Sequence, residues 1–336
     1  MIMNRMSSIR RWLGLAFFCL SAAAGSGVAL SPNLETRTPQ AERPNELGKV
    51  LILEYHLIEP EEKGQWYRSI ANFRQDLELL YSAGYRPVGM NDYVSGRMGL
   101  PAGTRPVIFT FDDSSPGQLR YVVSNGKPEI DPDCAVGMLM AFHSRHPDFG
   151  LKGIFFVLTA AKEPHKLFGQ PEYEADKLRK LVALGFEIGN HTQWHADLKK
   201  YDAKTVQKQL AMPVKEIGAM VPGYVPHALA LPFGNYPKDP GLAVKGSFNG
   251  ISYLNEAILR VSGGPAPSPF SRSRDLQRLP RIQVTGKELQ RWIKLLHERP
   301  GELYSSDGKE DTVSFPRELA PEANTSRFAA LHFVSY

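Results

Sequence analysis

Short, continuous apolar runs recur along this chain, separated by stretches in which apolar residues return every three or four positions. Val50-Leu-Ile-Leu-Glu-Tyr55, Val107-Ile-Phe-Thr-Phe111, Gly153-Ile-Phe-Phe-Val-Leu158, Phe186-Glu-Ile-Gly189, Ala228-Leu-Ala-Leu231 and Leu279-Pro-Arg-Ile-Gln-Val284 read as strands. A run of this kind, apolar without alternation, is what a strand buried on both faces of a parallel sheet requires. Between them, Phe73, Leu77 and Leu80 mark a helix that Gly84 stops, and Tyr85 to Val88 adds a short strand. Ala135, Met138, Leu139 and Phe142 mark a second helix, with Asp131 or Asp133 placed to cap it. Leu178, Leu181 and Val182 mark a third, closed by Gly185. A polar helix follows over residues 203–218, and a last one over Glu288 to His297 carries Leu289, Trp292, Ile293 and Leu296. Ser114 to Pro132 has no clear period and reads as a surface loop, and Pro237 to Arg274 is rich in Gly, Pro and Ser with little pattern. The tail from Phe328 to Tyr336 is too apolar to be simply disordered. Strands alternating with helices predict a parallel α/β architecture, and this many units in one run favours a closed barrel over an open sheet.

The first residues have a different character. Arg5, Arg10 and Arg11 precede an apolar run from Trp12 to Ala24, and small residues follow to Ala29. That order predicts an export signal over residues 1–29, since the run is short for spanning a bilayer. Residues 30–47, with Pro32, Pro39 and Pro44, read as a flexible lead into a domain covering 48–336. Those three arginines supply three of the five net positive charges, so the remainder is near neutral. A dedicated nucleic-acid binder is thereby disfavoured. Removal of the signal would also remove Cys19, leaving Cys134 alone and no internal disulfide.

Two places carry candidate chemistry. Asp112 and Asp113 stand side by side where the Val107 strand ends, the end at which α/β proteins collect functional groups. A single Asp serves a turn; two adjacent ones repel each other. His191 and His195 lie four apart after another strand, and on one helical turn both imidazoles reach one cation. Two His and one carboxylate leave open positions for water and substrate on a divalent metal.

Thr110-Phe-Asp-Asp113 followed by Gly185-Phe-Glu-Ile-Gly-Asn-His-Thr-Gln-Trp-His195 resembles the first two motifs of the polysaccharide deacetylases, the family 4 carbohydrate esterases with a NodB-type domain. Ala230-Leu-Pro-Phe-Gly234 is similar to the third motif, and Tyr55-His56 with Phe73 to Val88 is similar to the opening of exported bacterial members. The resemblance runs from about Lys49 to Val284. It implies a distorted (β/α) barrel of parallel strands with the site at their C-terminal ends. It also implies one divalent metal held by Asp113, His191 and His195, Zn²⁺ first with Co²⁺ or Ni²⁺ as alternatives, and Asp112 as the base that takes a proton from water. An acetylated glycan is the implied substrate. Phe233 or Gly234 is the candidate backbone donor to an oxyanion, and Pro232 and Trp194 are candidates to wall an acetyl pocket, with core packing the plainer role for Trp194.

Two features depart from the family. The third motif usually begins with an Arg that orients the catalytic Asp, and here that position is Ala230; Arg281 is the candidate replacement. The late Leu-x-His segment that supplies a proton to the leaving group is also missing. His56, His297 and His332 are candidates, and His56 is best placed because strand ends converge on one rim. Asn125, Asp131 and Asp133 either shape substrate access or simply belong to a solvated loop. Three functions compete: an exported N-deacetylase of an amino-sugar polymer or cell-envelope glycan, an O-acetyl esterase or small-amide hydrolase on the same fold, and a non-catalytic glycan-binding relative. The intact Asp pair and both His weigh against the last.

Overall fold

The computed structural model describes residues 43–336. The expected export signal and most of the expected lead lie outside the described residues. The end of that lead is not flexible: Asn45, Glu46 and Leu47 are buried, and the Asn45 N–H donates to Ser305 O at 2.8 Å.

Eight strands form the central sheet: β1 Leu51–Tyr55, β2 Tyr85–Pro87, β3 Arg105–Phe111, β4 Ile154–Val157, β5 Glu187–Asn190, β6 Ala228–Ala230, β7 Ala257–Leu259 and β8 Ile282–Gln283. All their pairings are parallel, in the order β7-β6-β5-β4-β3-β1-β8, with β2 on the first half of β3. A single bridge from Leu259 to Leu279, just before β8, links the two edges. The sheet therefore curls into the distorted barrel that the family resemblance implied. Helices α1 Ile70–Ser82, α2 Met90–Ser95, α3 Ala135–Arg145, α4 Glu174–Ala183, α5 Ala203–Met220 and α6 Glu288–His297 accompany it.

Parity along the strands decides what faces the inside. The alternate residues Leu51, Leu53, Tyr55, Val107, Phe109, Phe111, Phe155 and Val157 pack outward against Phe73 and Leu77 of α1, Leu139 and Phe142 of α3, and Leu178 and Leu181 of α4. The other set, Val50, Ile52, Ile108, Ile154, Phe156, Ala228, Ala230 and Leu259, fills the second core. On β1 and β3 that second set continues upward as Glu54, Thr110 and Asp112, all buried. Apolar residues thus fill the barrel near the strand starts, and polar ones replace them towards the C-terminal rim.

Several expectations need correction. Residues 114–132 are not a surface loop: Ser114, Ser115, Gln118 and Leu119 are buried, and Tyr121–Ser124 pairs antiparallel with Lys127–Ile130. Asn125-Gly126 makes the turn with both φ values positive, 50° and 75°. The patternless 237–274 stretch likewise hides a hairpin, Lys245–Phe248 with Ile251–Leu254, turned by Asn249-Gly250, and then β7. Asn-Gly is the strongest short-range hairpin signal, and it was present at both places. Helix α3 is capped by Cys134, whose sulfur accepts from Gly137 N–H at 3.4 Å, and not by an Asp. Asp131 instead pairs with Arg120 at 2.7 Å and Asp133 with Arg74 at 2.5 Å, while Asn125 turns the hairpin. Helix α5 is amphipathic rather than polar, burying Val206, Leu210, Ala211 and Ile217.

Gly117 is required by close approach. A Cβ there would collide with the carbonyl oxygen of Ile58, which is backbone and cannot swing aside. Gly117→Ala is expected to destabilise the fold by about 1–3 kcal/mol, read as a lower urea midpoint; an unchanged midpoint would show that the loop relaxes freely.

Candidate active site

β1, β3, β5 and β6 all end on one rim. His56 follows β1, Asp112 and Asp113 follow β3, His191 follows β5, and Leu231-Pro232-Phe233 follows β6. Strand parity sends Asp112 inward, so Asp113 would point away were the backbone to stay extended. It does not: Asp113 and Ser114 both take positive φ, 72° and 46°. Such backbone is costly for non-Gly residues and needs support from its surroundings. Here Ser114 Oγ accepts from Leu158 N–H at 2.7 Å, and Gln118 Nε2 donates to Asp112 O at 2.5 Å and to His56 O at 2.7 Å. The turn brings the Asp113 carboxylate back over the barrel mouth.

The two histidines arrive differently from expectation. Residues 191–195 form a turn, not a helical turn, with Thr192 at φ 67° and His195 at φ 62°. The Asn190 carboxamide oxygen accepts from Thr192 N–H at 2.9 Å, and Thr192 Oγ1 accepts from Ala196 N–H at 2.9 Å, which locks the turn. Both imidazoles still converge. His191 Nε2 lies 3.2 Å and His195 Nε2 3.5 Å from Asp113 Oδ1, and the three donor atoms are within 4.8 Å of one another.

His191 Nδ1 lies 2.8 Å from the carbonyl oxygen of Ala230. With the proton on Nδ1 donated there, Nε2 turns a lone pair toward Asp113 Oδ1, and neither atom has a hydrogen-bond partner. Burial opposes charge on His191, yet Asp112 and Asp113 outweigh it and hold its pKa above the usual value. The pocket therefore calls for positive charge at this point, which a proton or a cation supplies. Burial and the neighbouring His191 push His195 down to about 4, so it keeps a free lone pair at neutral pH. Burial also opposes ionisation of Asp113, but His191 holds it far below the ordinary carboxylate range. One hard anionic oxygen and two neutral imidazole nitrogens suit a divalent transition metal such as Zn²⁺.

Asp112 is held apart from that set. Arg281 grips it with both prongs, Nη1 to Oδ1 at 2.8 Å and Nη2 to Oδ2 at 2.7 Å. The same guanidinium donates to Glu54 Oε1 at 3.1 Å, Thr110 Oγ1 at 3.0 Å and Arg260 O at 2.6 Å. Arg281 is fully buried and sits over the Phe156 ring. Burial works against an ionised Asp112, but Arg281 and then His191 outweigh it and keep its pKa lowered. Where the family resemblance led one to expect an arginine at Ala230, the guanidinium comes instead from Arg281, just before β8 and two strands round the ring from β6. Asp112 Oδ2 remains 3.9 Å from His191 Nε2, beside the ligand set without joining it.

The structure places His56 beside Asp112 as well. Glu54, His56 and Asp112 bring donor atoms within 4.8 Å of one another, with His56 Nε2 3.6 Å from Glu54 Oε1. Burial lowers the His56 pKa, although Asp112 works in the other direction. Glu54 is a member of this group that sequence reasoning passed over. It lies inside a strand run, and its parity with Asp112 across paired strands was the available signal. Buried and surrounded by Asp112 and Asp113, it ionises well above the ordinary range despite Arg281. His297 and His332 are elsewhere: His297 is exposed near the end of α6, with Nδ1 2.8 Å from Ile293 O, and His332 is exposed in the last strand.

Among the proposed pocket residues, Gly234 is excluded as an oxyanion donor, because its N–H donates to Leu231 O at 2.9 Å. Phe233 remains, at φ 59°, with its ring 4.6 Å from that of His195. Pro232 is buried. Trp194 is not a core residue: it is 39% exposed, and the Lys208 ammonium lies 5.7 Å from its ring centroid.

Comparison with known proteins bears on this arrangement. The family model described as Polysaccharide deacetylase matches residues 137–246, a stretch that includes both histidines. Residues 137–246 of the chain are thus similar to the polysaccharide deacetylase family. The deacetylase PplD of Streptococcus pyogenes, solved with acetate, matches with a TM-score of 0.52 at 18% identity, over 70% of this chain and 91% of that one. A putative polysaccharide deacetylase of Bacillus anthracis gives a TM-score of 0.51 at 17% identity, over 73% of this chain and 69% of that one. At such identities these structures speak for the fold alone. A protein of Bradyrhizobium sp. (strain ANU 289) named chitooligosaccharide deacetylase is 26% identical over 144 residues, 42% of this chain. That match spans about half the length of the relative, 52%. Among the described residues, no helix is long and apolar enough to cross a membrane.

Proposed function

We propose that this protein is an exported, metal-dependent deacetylase that hydrolyses N-acetyl groups of an amino-sugar polymer or cell-envelope glycan. The observation that carries the reading is the split of neighbouring carboxylates: Asp113 faces two imidazole nitrogens, while Asp112 is held 3.9 Å from one of them by an arginine. The family match and the chitooligosaccharide deacetylase relative support an amino-sugar substrate. The Arg-rich, then apolar, N-terminal layout supports export.

Asp113, His191 and His195 would hold the cation, Zn²⁺ being the natural choice for this donor set. When bound, it would polarise the acetyl carbonyl and ease deprotonation of water. The protein's own groups do the rest. Asp112, kept ionised by Arg281, takes the proton of the attacking water as the new C–O bond forms. Phe233 N–H faces the oxyanion of the tetrahedral carbon, a contribution of about 3–4 kcal/mol in comparable sites. His56 passes a proton to the leaving nitrogen as the C–N bond breaks, giving acetate and a free amine. Burial keeps His56 neutral beforehand, so it must be loaded during the cycle. Asp112, within 4.8 Å of it and newly protonated, is the nearest source.

Acetate release from an N-acetylated oligosaccharide should fall to background after dialysis of the full chain against a chelator and return on adding Zn²⁺, Co²⁺ or Ni²⁺. Chelator-insensitive release would overturn the metal-dependent reading. Parallel assays with an O-acetylated glycan separate amide from ester hydrolysis, and a metal-loaded protein inert towards both would leave only glycan binding.

A further inference from the structure

Among the described residues, two exposed aromatic rings lie directly against histidines of the candidate site. Trp66, on the turn before the short Tyr67–Ser69 strand, is 39% exposed, and its ring centroid lies 4.7 Å from that of His56. Phe233 is 60% exposed and lies 4.6 Å from the ring of His195. Neither is accounted for by the core. Leu57 N–H donates to Trp66 O at 3.0 Å, which fixes the turn while leaving the indole at the surface. Phe233 holds φ at 59°, a conformation unfavourable for a bulky side chain that gains little burial in return. Both rings offer apolar surface, in contact with histidines of the site, that a bound substrate would cover. His56 belongs to the Asp112 group and His195 to the Asp113 group, so one ring stands beside each half of the cluster.

We infer that Trp66 and Phe233 are stacking platforms for pyranose rings on either side of the residue that bears the acetyl group. The axial C–H face of a pyranose is apolar and weakly positive, and an aromatic face carries the complementary negative quadrupole. Two platforms flanking one reactive centre select an oligomer of at least three sugars over a single sugar. The inference takes the chemical class of the ligand from the deacetylase reading, and it deepens that reading by assigning chain-length preference to two side chains.

Binding and turnover test it separately. An N-acetylated tetrasaccharide is titrated by calorimetry into the full-length D112N protein, loaded with Zn²⁺, with and without a second substitution. Trp66→Ala and Phe233→Ala are each expected to weaken Kd about tenfold, or about 1.4 kcal/mol. Trp66→Phe should stay within about threefold of the parent because a π face remains. Trp66→Leu, which keeps apolar bulk without that face, should bind as weakly as the alanine variant. In otherwise unmodified protein, Trp66→Ala should raise KM for the tetrasaccharide about tenfold with kcat within about twofold, and leave KM for the monosaccharide unchanged. Unaltered Kd in Trp66→Ala, full binding by Trp66→Leu, or a fall in kcat at constant KM would overturn the inference; the last would make Trp66 a support for His56. No tetrasaccharide binding by D112N would also overturn it. A protein that binds the tetrasaccharide through Trp66 yet releases no acetate would refute the deacetylase reading and leave the platforms standing.

Discussion

Asp112→Asn is expected to lower acetate release by about 10²–10⁴-fold, the range a positioned proton acceptor contributes, while bound metal stays at the parent level. Asparagine matches aspartate in shape, so the barrel mouth keeps its packing. It differs in the atom facing Arg281: where two carboxylate oxygens now accept from Nη1 and Nη2, one position becomes an NH₂ donor facing another donor. The variant thus loses the base and part of its anchor but none of Asp113, His191 or His195. Metal content by elemental analysis together with initial rates makes the distinction. A variant retaining more than about a tenth of parent turnover would remove Asp112 from the role of base, whereas loss of metal would reassign it to the ligand set.

Replacing Arg281 with alanine should act on stability as well as turnover. The guanidinium is fully buried and makes five hydrogen bonds, to Asp112 twice and to Glu54, Thr110 and Arg260 O once each. Its removal leaves the ionised Asp112 buried without its arginine. Breaking a buried ion pair from one side costs about 3–5 kcal/mol, so a much lower urea midpoint is expected along with a sharp loss of turnover. Arg281→Lys should recover little, because one ammonium cannot reproduce a two-pronged grip on Asp112 while reaching Glu54. The cause is checked by a double-mutant cycle: adding Asp112→Asn to Arg281→Ala removes the orphaned charge. The pair should therefore be less destabilised than the sum of the single changes. Strict additivity would show that lost packing, and not exposed charge, dominates. Normal turnover in a folded Arg281→Ala protein would dissociate it from Asp112 altogether.

Much of this site could be read from local pattern. The β3 run names its own end, and Asp112 and Asp113 stand there whatever the rest of the chain does. His56, His191 and Phe233 also follow strands directly, and strands of one parallel sheet deliver their ends to one rim. The hairpins turned by Asn125-Gly126 and Asn249-Gly250 were missed because their flanking residues, such as exposed Val122 and Val123, do not alternate with a buried face. There the turn chemistry spoke and the hydrophobic period did not. Gly234 was misjudged for another reason: its freedom to approach a ligand was legible, but the commitment of its N–H to Leu231 O is a property of the folded turn.

What the chain order determined alone was the parallel barrel, the rim on which chemistry collects, and the residue types available there, since these follow from periodicity and strand ends. Only the tertiary structure decided how the two aspartates part company. Parity aims Asp112 inward onto an arginine 169 positions away, and a left-handed turn at Asp113, braced through Ser114 by Leu158, carries the second carboxylate to the histidines. The pairing of Leu57–Glu59 with Tyr67–Ser69 set Trp66 against His56. Such relations depend on long-range strand register and on loops whose conformation is fixed by their neighbours, and neither is written in any local stretch of sequence.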